Sequence, residues 1–233
     1  VNAVAFSPDS QSIASASDDG LIQIRGLDGK IKQTFELGDI AFVIKFSPDG
    51  QFLAAGGDGF LKVWRLAGAE LLHIYESPAT TVNDLSFSPD SQNLVFANSD
   101  RTIGLWSLNE PAPRFLEKSH DGEVYAVQYS PDGRQFASGG RDNALRLWSS
   151  DGEAIATIGS HDATINSLQF SADGSKVITG SEDNTLIIWD LSILSPEKLV
   201  SWSCNWLTGY LQNNPNVADN DRTLCQGVAP WSP

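Results

Sequence analysis

Few side chains in this 233-residue chain suit nucleophilic or acid–base chemistry. There are three histidines, His73, His120 and His161, and two cysteines, Cys204 and Cys225, both near the C-terminus. Two cysteines without nearby histidines supply too few ligands for zinc. Asp219-Asn220-Asp221 lacks the glycine and the distal glutamate of a calcium loop. No glycine–lysine loop for a phosphate, no nucleophile elbow and no zinc-protease histidine pair occurs. His73 lies in the strand-like Leu71-Leu72-His73-Ile74-Tyr75 and is expected to face solvent. The many aspartates fall at turns, where turn chemistry accounts for them. The residue types therefore predict no enzyme, no metal and no cofactor.

The elements that carry these residues repeat. Phe6-Ser7-Pro8-Asp9 returns at Phe46, Phe87, Tyr129 and, with alanine for proline, Phe170, at steps of 40, 41, 42 and 41 residues. A fixed period of this length marks a repeat architecture. In the fourth unit, Val124 to Tyr129 alternates as a strand and runs into Ser130-Pro131-Asp132-Gly133, a type I turn. Gln135 to Gly139, Ala144 to Trp148 and Glu153 to Ile158 make three more strands. Such a meander cannot bury both faces alone, but stacking its neighbours buries them together. The reading is an all-β β-propeller of four-stranded antiparallel blades, with five blades visible at about 1–40, 41–81, 82–123, 124–164 and 165–202. The fifth is expected to take residues 197–202 as its own fourth strand.

A formal charge of −14 and a pI near 4.4 argue against a phosphate-binding surface and so against nucleic acid. No apolar run approaches the roughly 18 residues that span a membrane. No signal peptide opens the chain, and a cytoplasmic setting with protein or peptide partners is expected. The chain has no methionine and starts at Val1 on an alternating strand, which suggests a portion of a longer polypeptide.

On these motifs, residues 1 to about 202 resemble the WD-repeat (tryptophan–aspartate repeat) β-propellers. That family places a tryptophan six residues after a turn aspartate, matched here by Asp58 with Trp64, Asp100 with Trp106, Asp142 with Trp148 and Asp183 with Trp189. The first unit has Arg25 in place of the tryptophan. The resemblance implies hydrogen-bonded structural tetrads of His120, Ser138, Asp142 and Trp148, and of His161, Thr179, Asp183 and Trp189. These are hydrolase-like residue types held for stability. The third unit has Phe96 in the hydroxyl position. Family propellers favour seven blades, so the five units imply part of a larger ring, with a closed five-bladed ring the alternative.

The resemblance also implies a non-catalytic interaction scaffold that binds through the face bearing the tetrad turns. The free positions there are the second residue of each innermost strand and the residue before each turn aspartate. Phe42, Asn83, Tyr125, Arg141, Asn166 and Glu182 are the candidate partner-binding residues, with Phe42, Tyr125 and Arg141 foremost because aromatics and arginine dominate hot spots. Phe42 could instead pack into its blade. Another reading is the C-terminal sensor of a multidomain bacterial signalling protein: an ATPase, a Ser/Thr kinase or a caspase-like protease with catalysis upstream.

After Trp202 the pattern changes. Trp206, Leu207, Tyr210 and Leu211 form an amphipathic helical stripe, so 203–233 reads as a helical cap. The segment resembles tails that follow propellers in bacterial, notably cyanobacterial, WD-repeat proteins. Cys204 and Cys225 could pair or remain thiols.

Overall fold

The computed structural model describes residues 1–117 and 119–194. The chain divides into two compact units, Val1–Ile188 and Trp189–Pro233. The fold is all-β and antiparallel. β1 (Ala3–Phe6), β2 (Ser12–Ala16), β3 (Leu21–Gly26) and β4 (Ile31–Glu36) make a four-stranded sheet in chain order. β5 (Ala41–Phe46), β6 (Phe52–Arg65), β7 (Glu70–Phe87), β8 (Asn93–Asn98), β9 (Ile103–Ser107) and β10 (Arg114–Leu116) form one six-stranded sheet. β11 (Val124–Tyr129), β12 (Gln135–Gly140), β13 (Ala144–Ser149) and β14 (Ala154–Ser160) form a third sheet. β15 (Ile165–Phe170), β16 (Lys176–Ser181) and β17 (Leu186–Asp190) make a three-stranded fourth, and a 3₁₀ turn (Leu191–Leu194) follows. There is no α-helix among the described residues.

Five separate blades were expected, and the described residues form four sheets. The second and third repeats share β7, whose start pairs with β6 and whose end pairs with β8. The cause is a shortened turn. In the fourth repeat Val127 pairs with Ser138, ten residues before Trp148. In the second, Ile44 pairs with Ala55, only nine before Trp64. With one residue fewer at the bend, β6 passes from β5 to β7 without a break. The strand expected at 197–202, the helix at 206–211, the 203–233 cap and the Cys204–Cys225 pair lie outside the described residues.

The repeated Ser-Pro-Asp segment is a self-contained turn. In the fourth repeat the Ser130 hydroxyl donates to Asp132 Oδ1 at 2.6 Å and accepts from the Gln135 N–H at 3.2 Å, while Asp132 Oδ1 accepts from the Arg134 N–H at 3.1 Å. Ser7, Ser47, Ser88 and Ser171 repeat the pattern. The serine hydroxyl, followed by backbone N–H donors, holds the Asp9 and Asp90 carboxyls below the usual range and brings Asp173 to about 2. The closing residue has positive φ: glycine at Gly50, Gly133 and Gly174, but serine at Ser10 and Ser91. Strain at those two serines is modest, since single polar residues visit this region.

Successive repeats meet along their innermost strands, β1 beside β5, β5 beside β7, β7 beside β11 and β11 beside β15. An innermost strand is a sheet edge with unpaired N–H groups. Side chains of the preceding strand satisfy them. Val127 N–H donates to Asp84 Oδ2 at 3.0 Å, Tyr129 N–H to Ser86 Oγ at 3.1 Å, and Phe170 N–H to Gln128 Oε1 at 2.7 Å. Burial pushes the Asp84 carboxyl up, against the Val127 N–H bond, Lys45 and the Leu85 N–H. Apolar clusters fill the space between sheets: Ile22, Phe35, Leu53 and Trp64 in one, Leu85, Leu94, Phe96 and Trp106 in the next, and Val127, Phe136 and Trp148 in a third. Each such side chain is worth roughly 1.5–3 kcal/mol when fully buried.

Candidate functional site

The tetrad of the fourth repeat assembles from three elements. His120 sits in the loop before β11, Ser138 on β12, Trp148 on β13, and Asp142 in the turn between β12 and β13. Trp148 Nε1–H donates to Ser138 Oγ at 2.8 Å. The Ser138 hydroxyl and His120 Nε2 lie 2.7 Å apart, and His120 Nδ1 meets Asp142 Oδ1 at 2.8 Å. The ionised carboxylate accepts, so the proton sits on Nδ1 and the serine donates to Nε2. Burial, the largest single effect, raises the Asp142 pKa, but the His120 hydrogen bond together with the Asp121 and Ala144 N–H groups outweighs it and brings the carboxyl to about 2. Asp142 also accepts from the Asp121 and Ala144 N–H groups and from Arg146 Nη2.

This is the connectivity of a hydrolytic triad, Ser Oγ to His Nε2 and His Nδ1 to Asp. Two features disarm it. Ser138 is fully buried, and the indole N–H takes one of the two lone pairs on its oxygen. A reacting atom has no access to the oxygen, and the chain of bonds serves to hold the turn.

In the fifth repeat His161 Nδ1 meets Asp183 Oδ2 at 2.8 Å and Nε2 meets Thr179 Oγ1 at 2.7 Å. The Thr185 hydroxyl bond, with His161 and backbone N–H groups, holds Asp183 well below the usual carboxylate range against a small burial effect. Trp189, the expected fourth member, lies on β17 at the first residue of the second compact unit.

The tetrad position behaves differently upstream. Phe96, buried at the hydroxyl position of the third repeat, forms an aromatic cluster with Tyr75 and Phe115 at centroid distances of 5.7 and 5.9 Å. Its ring covers Gly104, where an added Cβ would come within 2.0 Å of it. Trp106 donates instead to the Glu110 carbonyl at 3.1 Å. His73, expected to face solvent, is half-buried: its ring packs 5.1 Å from that of Trp106, and Nε2 donates to the Leu108 carbonyl at 3.0 Å. In the second repeat the shortened turn moves Asp58 to the position Arg141 holds in the fourth. There it accepts from the Thr81 hydroxyl.

The candidate partner-binding residues share one structural device. The register skips between Ala41 and Val43, Val82 and Asp84, Val124 and Ala126, and Ile165 and Ser167. Phe42, Asn83, Tyr125 and Asn166 are thus the extra residues of four β-bulges, which turn their side chains away from the ladder. Phe42 is 45% exposed, so it does not pack into its blade. Asn166, Arg141 and Glu182 are exposed. Asn83 is committed elsewhere, since its Nδ2 donates to the Val124 carbonyl at 2.8 Å and ties β7 to β11.

Three of the candidates are brought together. The Tyr125 hydroxyl donates to Glu123 Oε2, and Arg141 Nη1 reaches Glu123 Oε1 at 3.5 Å. The Glu123 hydrogen bond raises the Tyr125 pKa, followed by burial and the Glu123 charge; Arg141 opposes and Glu182 adds. Glu123 was absent from the candidate set, although its place two residues before Tyr125 was the available signal. Phe42 and Asn166 stand on β5 and β15, at the corresponding bulges of other repeats. Among the described residues no group of three His, Cys, Asp or Glu side chains could hold a metal.

A family model for the WD domain, G-beta repeat, matches residues 1–25, 29–65, 69–107, 113–149 and 152–190. Curated relatives include the small ribosomal subunit protein RACK1y of Oryza sativa subsp. japonica, 30% identical over 117 residues, 47% of this chain and 35% of that protein. The cross-pathway control WD-repeat protein 2 of Flammulina velutipes is 30% identical over 118 residues, 46% of this chain and 38% of that protein. Protein HIR1 of Kluyveromyces lactis is 27% identical over 154 residues, 49% of this chain and 18% of that protein. The matched region thus spans about a third of the length of the first two relatives.

Proposed function

We propose that this chain, which belongs to the WD domain, G-beta repeat family, is a non-catalytic platform that holds other proteins or peptides on the face carrying the bulged residues. The observation that carries this reading is the Tyr125–Glu123–Arg141 group beside Glu182, with Phe42 exposed at the matching bulge of β5. An aromatic and an arginine held in place by a shared carboxylate lose little freedom on binding, which favours affinity. The rice relative is by its name a ribosomal-subunit protein, a component of an assembly, and that supports a binding role. The test is affinity capture of a partner, followed by the double variant Tyr125→Ala, Arg141→Ala. Affinity is expected to fall about tenfold or more while the thermal transition stays in place. Unchanged affinity sinks this site.

A second reading is a regulatory portion of a longer bacterial signalling polypeptide with catalysis upstream; one observation bears on its first element, a longer chain. Val4 and Phe6 are both 66% exposed, although Ile44, Leu85 and Val127 at the first position and Phe87, Tyr129 and Phe170 at the second are buried. Another sheet of the parent polypeptide would cover them. Residues 1–233 alone are then expected to self-associate in light scattering, because large apolar patches do. A stable compact monomer would count against this reading.

A further inference from the structure

Every innermost strand ends on an aromatic residue, phenylalanine in four repeats and Tyr129 in the fourth. Tyr129 is only 6% exposed, and among the described residues its hydroxyl makes no hydrogen bond. It is not one of the sealed polar atoms that lack a partner, which among the described residues are Asn98 Oδ1 and Arg146 Nε; Tyr129 lines a groove of about 680 Å³ between the third and fourth repeats, at the Ser-Pro-Asp end of the strands.

Beside this groove β10 is short. It has three residues where β4 has six and β14 seven. Pro111 and Pro113 precede it, and proline cannot donate to a ladder. Pairing of β9 with β10 therefore stops at Leu105, and Trp106 and Ser107 border the groove with no fourth strand beside them. The matching groove between the first and second repeats is also open, at about 490 Å³, but a lysine and a glutamine line it. There Lys32 Nζ donates to Ser12 Oγ at 2.7 Å, Gln33 Nε2 donates to the Leu66 carbonyl at 2.8 Å, and Phe46 stands where Tyr129 does.

The lining selects a cation with an apolar stem. Asp90, Glu110, Asp132 and Asp151 line the groove with one guanidinium, that of Arg114, which is engaged with the Asp151 carbonyl at 2.5 Å, while Arg134, outside the lining, pairs with Asp132 at 3.9 Å. The Ser88 hydroxyl and the Gln92 N–H hold Asp90 below the usual carboxylate range. Burial first, then the Asp90 charge, pushes the Tyr129 phenol up to about 12 against Arg114, so it stays neutral with a free acceptor. Pro89, Leu105 and Ala112 supply an apolar wall.

We propose that this groove is a second docking site, separate from the Tyr125–Arg141 face, and that it takes an arginine side chain from a basic peptide segment, with the guanidinium donating to the Tyr129 hydroxyl oxygen beside the Asp90 carboxylate. The two sites lie at opposite ends of β11, so each stands or falls by itself.

The test is an NMR titration of the ¹⁵N-labelled 233-residue chain with the acetylated, amidated peptide Gly-Ser-Arg-Ser-Gly, and with its glutamate counterpart. Saturating shifts are expected at amides of residues 88–93, 105–110 and 129–133 with a Kd of about 1 mM, weaker at high salt. Tyr129→Phe installs the residue used by the other repeats, so the fold is retained. It should weaken binding about fivefold, equivalent to about 1 kcal/mol. Shifts that do not saturate by about 20 mM, equal shifts from the glutamate peptide, or wild-type affinity in Tyr129→Phe would each overturn the proposal.

Discussion

Ser138→Ala separates the structural role of the buried tetrad from a catalytic one. The substitution removes one oxygen and breaks two hydrogen bonds, from Trp148 Nε1 at 2.8 Å and to His120 Nε2 at 2.7 Å. Trp148 is buried and the His120 side chain has no exposed surface, so water does not replace the lost partner. Each orphaned group costs about 1–3 kcal/mol. A total near 3 kcal/mol follows, which lowers the melting temperature by about 6–12 °C for a chain of this size. Ser15→Ala is the internal control. Ser15 holds the same position in the first repeat, but Arg25 replaces the tryptophan and the hydroxyl reaches only the Gln23 carbonyl at 3.5 Å. That variant should cost less than about 0.5 kcal/mol. The assay is urea unfolding by circular dichroism, with the two midpoints compared. Equal midpoints would refute the tetrad argument. So would an esterase activity of the wild type that disappears in Ser138→Ala, since the oxygen would then have to be reachable by substrate.

Two further outcomes follow from the same geometry. The Asp142 carboxyl, at about 2, lies below the ordinary aspartate value, so its contribution is complete above about pH 4 and is lost as pH falls toward 2. Wild type should lose about 1–2 kcal/mol more than Asp142→Asn between pH 5 and pH 2, allowing for solvent screening; parallel profiles in urea titrations at each pH would contradict it. Gly104→Ala should destabilise by about 1–3 kcal/mol because its Cβ meets the Phe96 ring at 2.0 Å. In the Phe96→Ala background that cost should largely vanish; additive effects in the double-mutant cycle would show that the ring is not the obstacle.

The blade-counting turn was legible in the sequence because it is local. Its serine, aspartate and acceptors lie within five residues of one another, as in Ser130 to Gln135. The fourth-repeat tetrad and the His161–Thr179–Asp183 part of the fifth were legible only through repetition, since His120 and Asp142 are 22 residues apart. Residues whose roles depend on register were not. Asp58 stands six residues before Trp64, like its counterparts, but the strand pairing shows that the missing residue lies in its own turn. His73 looked like a solvent-facing strand residue because its partners Trp106 and Leu108 come from the next repeat. Glu123 gains its role from Arg141, which chain order does not place beside it.

The sequence by itself determined the period, the antiparallel meander and the family, because turns and alternation are set by neighbours along the chain. Tertiary structure alone decided that two repeats fuse through β7, since pairing depends on which strand the bend delivers next. It also decided that Phe42, Asn83, Tyr125 and Asn166 occupy bulges, and that Asn83 bonds to the Val124 carbonyl while Tyr125 bonds to Glu123. Most of all, it set the fate of the serine and histidine. A hydroxyl is a nucleophile or a strut according to whether a substrate can reach it. Ser138 is fully buried beside an indole brought by β13.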